Sequence, residues 1–346
     1  MAPQLFAEQL EAGAWAITAA NVAQVQVMRH YGVPRVILAN QLLGRAHLES
    51  VAAMLEDPGF DFYCFVDSEA GLANMTRHLA GRRLAQPVRV LLEVGVPGGR
   101  TGVRTQAEAL ALAEAIAAAD PAQIRFAGVA CFEGVVPGIA ESPQPVIDYA
   151  QSVVDIAAAL PRSLLAGLDE FVLTGGGSSH FDLMADRFET LRLDVPVRIV
   201  LRSGCYLTTD HGGYKAAQDA ARADPHRTWK GDLHPALEAW TYVQSRPEPG
   251  LALLAMGKRD VPYDAGLPKP QRLYRPGEGF RDAGAAEVYA VNDQHAFVRI
   301  DPASDWRVGD LVASGISHPC TAFDKWRFLP VVGDDYAVTD GVLTFF

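Results

Sequence analysis

The sequence predicts an α/β protein: a (β/α)8-type barrel whose first strand is missing, followed by an antiparallel β domain. Over the first two hundred residues, helical segments alternate with short, continuously apolar runs, as expected of parallel strands covered on both faces. Seven such runs are present and the chain opens on a helix, whereas a closed barrel has eight strands. After about residue 226 the helical periodicity ends, and β-prone runs separated by turns replace it.

The predicted elements follow in chain order. The predicted helices are Gln4–Ala12, Val22–Tyr31, Arg45–Leu55, Gln106–Ala119 and Val146–Leu160. The predicted barrel strands are Trp15–Thr18, Arg35–Ala39, Phe60–Val66, Val88–Val94, Ile124–Cys131, Glu170–Thr174 and Val197–Arg202. The predicted strands of the β domain are Leu251–Met256, Glu287–Ala290, Ala296–Ile300, Trp306–Ala313, Phe328–Val332, Tyr336–Thr339 and Val342–Phe346. We expect domains at residues 1–228 and 229–346. An open doubly wound sheet also accommodates seven strands, so periodicity alone leaves both folds open.

Composition excludes several classes of protein. The 346 residues carry a net charge of −11, which argues against nucleic acid or an anionic membrane as a partner. Four distant cysteines without a Cys-x-x-Cys motif argue against a disulfide framework or a zinc ribbon. No apolar run approaches the ~20 residues of a membrane span, and no signal sequence opens the chain. We therefore expect a cytoplasmic protein.

Two glycine-containing loops are candidates for binding an anion. Thr-Gly-Gly-Gly-Ser-Ser at 174–179 follows the sixth predicted strand, and Arg-Ser-Gly-Cys-Tyr at 202–206 ends the seventh. Glycines let backbone N–H groups approach an anion closely. If the first strand is missing, these loops follow barrel strands seven and eight, where barrels commonly bind a phosphate. The sequence therefore favours a phosphate-bearing ligand, although a tight turn explains the first loop equally well by itself.

Two further candidates have weaker signals. His318 and Cys320 flank one proline, and residues i and i+2 of an extended segment point to the same face. Imidazole and thiolate are zinc ligands, and two protein ligands leave positions open for water or substrate. A buried cysteine beside a surface histidine gives the same pattern. Arg100 follows the fourth predicted strand, where it could bind an anionic oxygen or form a surface ion pair.

Six segments together resemble the amino acid deaminase group of the D-serine dehydratase and D-threonine aldolase family. They are Gln9–Trp15, Leu38–Gln41, Arg100–Gly102, Gly175–Ser179, Arg202–Tyr206 and Ser317–Thr321. The resemblance extends from about residue 4 to the C-terminus, and Ser-His-Pro-Cys-Thr at 317–321 is its most specific part. Members of the family are pyridoxal-phosphate enzymes with the alanine-racemase fold, a (β/α) barrel plus a β domain. The resemblance therefore implies the fold that the strand count predicts.

The resemblance also implies an activity. It implies a lyase, dependent on zinc or another divalent metal, that converts a β-hydroxy D-amino acid such as D-serine to a keto acid and ammonia. A D-threonine-type aldolase, which yields glycine and an aldehyde, is the alternative. Family members are commonly homodimers.

Site residues are implied position by position. Gly176, Gly177 and Ser178 resemble one half of the phosphate cradle, to which Gly204 and Cys205 would add backbone N–H groups and Tyr206 its hydroxyl. Arg202 matches the position that faces the pyridine nitrogen, and Arg100 the one near the phenolic oxygen. His318 and Cys320 resemble the zinc ligands.

One departure from the family concerns the lysine that binds the cofactor covalently. In the family it ends the first barrel strand, a few residues before the segment that matches positions 3–5. Here no lysine precedes Lys215, and none of the five lysines matches that position. We expect that the start of this chain was assigned at an internal methionine, or that the chain is a fragment of a longer protein. The alternatives are a non-catalytic pyridoxal-phosphate binder and a phosphosugar barrel enzyme, for which Glu93 and Glu133 are the available carboxylates.

Overall fold

A computed structural model of the protein describes residues 1–139 and 142–345. Its contacts divide the chain into two compact units. The first unit is Pro3–Ser203, and the second is the chain from Gly204 onward together with Met1–Ala2. The domain boundary between residues 228 and 229 stays a prediction. No helix within the described ranges is long and apolar enough to cross a membrane.

The first unit contains a seven-stranded parallel sheet. Its strands are β1 (Ile17–Ala19), β2 (Arg35–Gln41), β3 (Asp61–Val66), β4 (Val88–Val94), β5 (Ile124–Cys131), β6 (Phe171–Gly175) and β7 (Val197–Leu201). They pair in chain order, and every pair is parallel. A doubly wound sheet reverses its strand order at a switch point, whereas the sequential order seen here belongs to a barrel. The barrel-type prediction is confirmed.

Helices connect these strands. They are α1 (Pro3–Glu11), α2 (Val22–His30), α3 (Arg45–Met54), α4 (Glu69–Leu79), α5 (Gln106–Ala117), α6 (Gln144–Ala158), α7 (Arg162–Leu165) and α8 (Phe181–Phe188). The start of α5 is fixed by a capping box, in which Thr105 and Glu108 each accept a backbone N–H of the other. The helices α4, α7 and α8 were not predicted, since α7 and α8 are short and a glycine interrupts the pattern of α4.

The sheet direction determines where a site can form. An apolar cluster that includes Ile37, Phe65, Leu91 and Val172 packs together from alternate positions of the strands. Because all seven strands are parallel, the loops that follow them emerge at the same end of the sheet. Ligand sites of parallel barrels lie at this carboxyl end.

The second unit is an antiparallel β structure, as predicted. Its strands are β8 (Glu238–Glu248), β9 (Leu251–Leu254), β10 (Lys269–Arg275), β11 (Gly279–Asp282), β12 (Glu287–Val291), β13 (Ala296–Arg299), β14 (Leu311–Gly315), β15 (Phe328–Val332) and β16 (Val338–Leu343). Seven of them form one sheet in the order β11-β10-β14-β8-β9-β13-β12, and β15 pairs with β16. The helices are α9 (Gly213–Ala223) and α10 (Pro319–Ala322). The sequence missed β8, β10 and β11, which are rich in polar residues.

Candidate functional site

Charged side chains gather at the carboxyl end of the parallel sheet. Glu93 lies near the end of β4, and Arg100, Glu133 and Arg202 lie in the loops after β4, β5 and β7. We call these four residues the barrel-mouth cluster. Two of them, Arg100 and Arg202, were predicted as site residues. Glu93 and Glu133 had been considered only for the phosphosugar alternative.

Arg202 is held in a fixed position by neighbouring strands. Its Nε donates to Thr174 Oγ1 at 3.1 Å, and its Nη2 donates to the carbonyl of Cys131. The guanidinium carbon lies 5.2 Å from the centre of the Phe65 ring. Burial lowers the pKa of Arg202. The barrel mouth therefore presents a positioned cation.

The glycine loop after β6 is held by a buried carboxyl group. Glu133, which is 1 % exposed, accepts the backbone N–H of Gly177 through Oε1 at 2.5 Å. Its Oε2 is buried without a hydrogen-bond partner among the described residues. A Cβ at position 177 would lie 2.9 Å from the Phe132 ring and 3.1 Å from Glu133 Oε1. The loop can approach these groups this closely because residue 177 is glycine.

This contact involves one of the residues predicted to form the phosphate cradle. In the structure the N–H of Gly177 is directed at Glu133, and the role of Gly177 in binding phosphate stays a prediction. Burial raises the pKa of Glu133, which favours a neutral carboxyl group next to an anion. Gly176 and Ser178 lie on either side of Gly177 in the same loop, before α8.

Arg100 and Glu93 complete the barrel-mouth cluster. The exposed Arg100 places its guanidinium carbon 4.7 Å from the centre of the Phe132 ring. Glu93 is buried and accepts hydrogen bonds from Gln41 Nε2 at 2.6 Å and Thr101 Oγ1 at 2.9 Å. Burial raises the pKa of Glu93. The structure thus brings Arg100, the glycine loop and Arg202 to one end of the barrel.

The remaining predicted residues belong to the second unit. Gly204, Cys205 and Tyr206 form a 3₁₀ turn over Gly204–Leu207, in which Cys205 is buried and Tyr206 is exposed. His318 precedes the short helix α10, which contains Cys320. The roles of these residues in binding phosphate and metal stay predictions.

Asp210 organises the turn that carries His318. This buried carboxylate accepts the N–H groups of Gly212 and Tyr214 at 2.9 Å through Oδ1, which caps the start of α9. Its Oδ2 accepts the N–H of His318 at 3.2 Å. His318 has a left-handed backbone with φ of 53°, a conformation that costs about 1–2 kcal/mol for a residue with a side chain. Asp210 therefore stabilises a strained backbone at a predicted ligand, and no sequence motif had indicated it.

The imidazole of His318 has a carboxylate partner. His318 Nδ1 lies 2.5 Å from Asp264 Oδ2. A metal-bound histidine commonly donates its other ring N–H to a carboxylate, which fixes its tautomer. If Nδ1 carries the proton, Nε2 is left as the ligand nitrogen. His318 thus has a carboxylate partner of the kind that metal-bound histidines commonly have.

The thiol of Cys320 lies beside that of Cys205. The two sulfur atoms are 3.7 Å apart. The hydrogen bond with Cys205, together with burial, raises the pKa of Cys320. Within residues 1–139 and 142–345, no three His, Cys, Asp or Glu side chains are gathered closely enough to hold a metal ion. The donor types, imidazole nitrogen and thiolate sulfur, are nevertheless those that zinc prefers.

Comparison with protein families agrees with this arrangement. The family model described as the alanine racemase N-terminal domain matches residues 2–197, and the one described as a putative serine dehydratase domain matches residues 236–332. The chain belongs to the alanine racemase N-terminal domain family. The predicted resemblance to enzymes that combine these two domains is confirmed. The first match includes strands β1 to β6 and ends at the first residue of β7.

Individual relatives share both parts of the chain. A D-threonine aldolase from Arthrobacter sp. is 26 % identical over 338 residues, which are 96 % of this chain and 79 % of that protein. The crystal structure of a D-threonine aldolase from Filomicrobium marinum superposes with a TM-score of 0.78 at 23 % identity, covering 99 % of this chain and 84 % of that one. A D-threo-3-hydroxyaspartate dehydratase from Delftia sp. HT23 gives a TM-score of 0.71 at 17 % identity, covering 99 % and 87 %.

Proposed function

We propose that this protein is a pyridoxal-phosphate-dependent and divalent-metal-dependent lyase that acts on β-hydroxy D-amino acids, with dehydration of a D-serine-type substrate to a keto acid and ammonia as the reaction. The observation that carries the proposal is the fixed Arg202 beside the glycine loop at the carboxyl end of the barrel. The matches to an alanine racemase domain and a serine dehydratase domain support it.

The arginines and the glycine loop of the barrel mouth support binding of an anionic cofactor. We assign the phosphate to Gly176, Gly177 and Ser178, with the N–H groups of Gly204 and Cys205 and the hydroxyl of Tyr206 as further donors. Bound pyridoxal phosphate withdraws electrons from the substrate and acidifies its α-proton. Arg202 would face the ring nitrogen, and its bonds to Thr174 and Cys131 hold the guanidinium at the barrel mouth.

Two other groups orient the ligand in this proposal. Arg100 would bind the phenolic oxygen of the cofactor, since it is exposed at the barrel mouth with its guanidinium group beside the Phe132 ring. Glu133, which is buried beside the glycine loop, holds the loop through the N–H of Gly177.

His318 and Cys320 would hold the metal ion, preferably Zn²⁺. A bound divalent metal would act as a Lewis acid on the β-hydroxyl group of the substrate. Asp264 would orient His318 through Nδ1, and Asp210 would hold the backbone of His318.

A D-threonine-type aldolase is the second candidate. It is favoured by the Arthrobacter D-threonine aldolase, which is similar over 96 % of this chain. The two reactions differ in the fate of the β-hydroxyl group. If it leaves, the product is a keto acid with ammonia; if it is deprotonated, the Cα–Cβ bond breaks and glycine is released.

The third candidate is a protein that binds pyridoxal phosphate without a covalent bond. All five lysines lie in the second unit, and each has a partner there. Lys215 pairs with Asp219, Lys269 donates to the carbonyl of His211, and Lys258 lies 5.7 Å from the centre of the Tyr263 ring. Lys230 and Lys325 donate to backbone carbonyls.

Product analysis with cofactor trapping tests these candidates. The chain is incubated with pyridoxal phosphate and Zn²⁺ or Mn²⁺, then given D-serine, D-threonine or D-threo-3-hydroxyaspartate, with the L-isomers as controls. Ammonia with a keto acid indicates the dehydratase, and glycine with an aldehyde indicates the aldolase. In parallel, borohydride reduction and peptide mapping locate any lysine bound to the cofactor. Saturable cofactor binding without product or a mapped lysine would leave only the non-covalent binder.

A variant comparison ties the result to the barrel mouth. Arg202→Ala should abolish the activity, or the cofactor binding where the chain proves to be a binder. Arg198→Ala, which removes an exposed arginine of β7, the strand that precedes Arg202, is the matched control. We further propose that the protein is a cytoplasmic homodimer, as is common in the family.

A further inference from the structure

The second unit contains an apolar cavity that the proposed function does not use. Its volume is about 280 Å³. Residues of β8, β15 and α10 line it, together with residues of the segments that follow β9 and β14. An apolar cavity of about 150 Å³ in another protein holds benzene, so this cavity is large enough for a molecule that contains an aromatic ring.

Aromatic and aliphatic side chains form most of the cavity wall. Trp240 of β8 is partly buried, and Trp326 is 47 % exposed. Trp326 Nε1 donates to the carbonyl of Asp260 at 2.7 Å, which holds its indole ring in place. Met256 and Ile316 add buried aliphatic surface. Such a wall can bury an apolar body, and the faces of indole rings attract cations.

The charged side chains that line the cavity are both acidic. They are Glu238 and Asp260, and in the described part of the chain no lysine, arginine or histidine lines it. Glu238 Oε2 accepts hydrogen bonds from Trp240 Nε1 at 3.2 Å and from the Tyr336 hydroxyl at 2.8 Å. Asp260 Oδ2 accepts the N–H of Gly257 at 2.8 Å. These donors are neutral, so they do not compensate the negative charge of the two carboxylates.

We propose that this cavity binds a small organic cation, an ammonium ion that carries an aromatic or other apolar body. The body would be buried against Trp240, Trp326 and Met256, and the charge would lie beside Glu238. An anion would be repelled by both carboxylates, and an uncharged ligand would gain nothing from them. The inference does not rest on the proposed function, because none of these residues is predicted to bind the cofactor or the metal.

The test compares two ligands of the same shape, phenyltrimethylammonium and tert-butylbenzene, which differ in the charge of one central atom. Saturation-transfer NMR titrations of the full chain at pH 7 should show that the cation binds about tenfold more tightly. Glu238→Gln should weaken binding of the cation about tenfold and leave binding of tert-butylbenzene unchanged. Glu248→Gln, which removes an exposed carboxylate at the other end of β8, is the matched control and should change neither affinity.

Three results would overturn the inference. Equal affinity for the two ligands would leave the cavity to an uncharged occupant, such as an apolar side chain of another protein. Failure of phenyltrimethylammonium to bind at millimolar concentration would exclude the site, and binding that Glu238→Gln does not change would place the cation elsewhere. The comparison of the two ligands on the wild-type chain decides the charge preference even if Glu238→Gln does not fold. Neither ligand has a primary amine that could react with pyridoxal phosphate, so these results are independent of the proposed lyase activity.

Discussion

Glu133 is a buried residue that holds the glycine loop of the candidate site through Gly177. It was not among the residues predicted to bind the cofactor. It carries one hydrogen-bonded oxygen and one buried oxygen without a partner in the described chain. Burial raises its pKa. A carboxyl group with a raised pKa contributes stability that is fully present below its unfolded pKa and is lost as the pH rises through the folded value. Glu133 therefore weakens the barrel at neutral and alkaline pH.

This argument predicts the behaviour of Glu133→Gln. The amide keeps an oxygen for the Gly177 N–H and has no charge, so the variant should match the wild type near pH 4 and exceed its stability increasingly toward pH 8. Urea unfolding across this range measures the effect. Glu108→Gln should show the opposite trend, because hydrogen bonds from the backbone of Arg104 and Thr105 lower the pKa of Glu108. A stability difference for Glu133→Gln that does not change with pH contradicts the prediction.

Asp264 is the second residue whose role can be tested alone. Its carboxylate holds His318 Nδ1 at 2.5 Å, and loss of such a partner typically lowers metal affinity by about 10- to 100-fold. We expect Asp264→Asn to show this loss in competition with a chromophoric chelator. Asp264→Glu should recover part of it, since it restores the charge. Equal zinc affinity in all three proteins would show that Asp264 does not position the ligand.

At the scale of elements, the parallel strands were predictable and much of the β structure was not. The buried strands of the barrel are continuously apolar, as in Val88–Val94, and this signal comes from burial on both faces. The strand Lys269–Arg275 alternates charged with buried positions, so its pairing with β14 depends on tertiary contacts. Polar strands of this kind have no local signal that separates them from loops.

The pairing of β5 with β6 leads to a prediction at this scale. Gly128 has φ of +148°, and a Cβ there would lie 1.9 Å from the carbonyl oxygen of Val172 on β6. Gly128→Ala must therefore push the two strands apart, and we expect a loss of about 3 kcal/mol or more in unfolding free energy. Gly167→Ala has open space at its Cβ and should cost only about 1–2 kcal/mol for its positive φ. Urea denaturation of both variants measures the contrast, and equal losses would contradict it.

For the molecule as a whole, the sequence predicted where several candidate site residues lie, but it did not predict the contacts that hold them. Strand counting and the glycine loops placed Arg202 and residues 176–178 at the carboxyl end of the barrel, because parallel strands share that end. Glu133, Asp210 and the contact of Cys205 with Cys320 were not predicted. Each depends on residues that are distant in sequence, and a single acidic residue or cysteine carries no pattern that reveals such a partner.

The two units should respond to acid in opposite directions. In the barrel, burial raises the pKa of Glu93 and Glu133. These two carboxyl groups therefore destabilise this unit less as the pH falls below their pKa values in the folded state, because they become protonated. In the β unit, Arg275 binds Asp310 at 2.6 Å and Asp305 at 2.9 Å, and its hydrogen bond lowers the pKa of Asp305 to about 2. Carboxylates with lowered pKa values contribute stability that is lost as the pH falls through their pKa in the folded state.

We therefore expect acid to open the second unit first. Arg275 is the last residue of β10, and Asp310 directly precedes β14. As the pH is lowered from 6 to 2.5, amide hydrogen exchange, corrected for its intrinsic rate, should accelerate in β10 and β14 before it accelerates in strands β4 and β5 of the barrel. Asp310→Asn should remove much of this difference, because it leaves Arg275 without its most buried carboxylate partner. Exchange that accelerates first in the barrel strands would show that the buried glutamates do not stabilise that unit in acid.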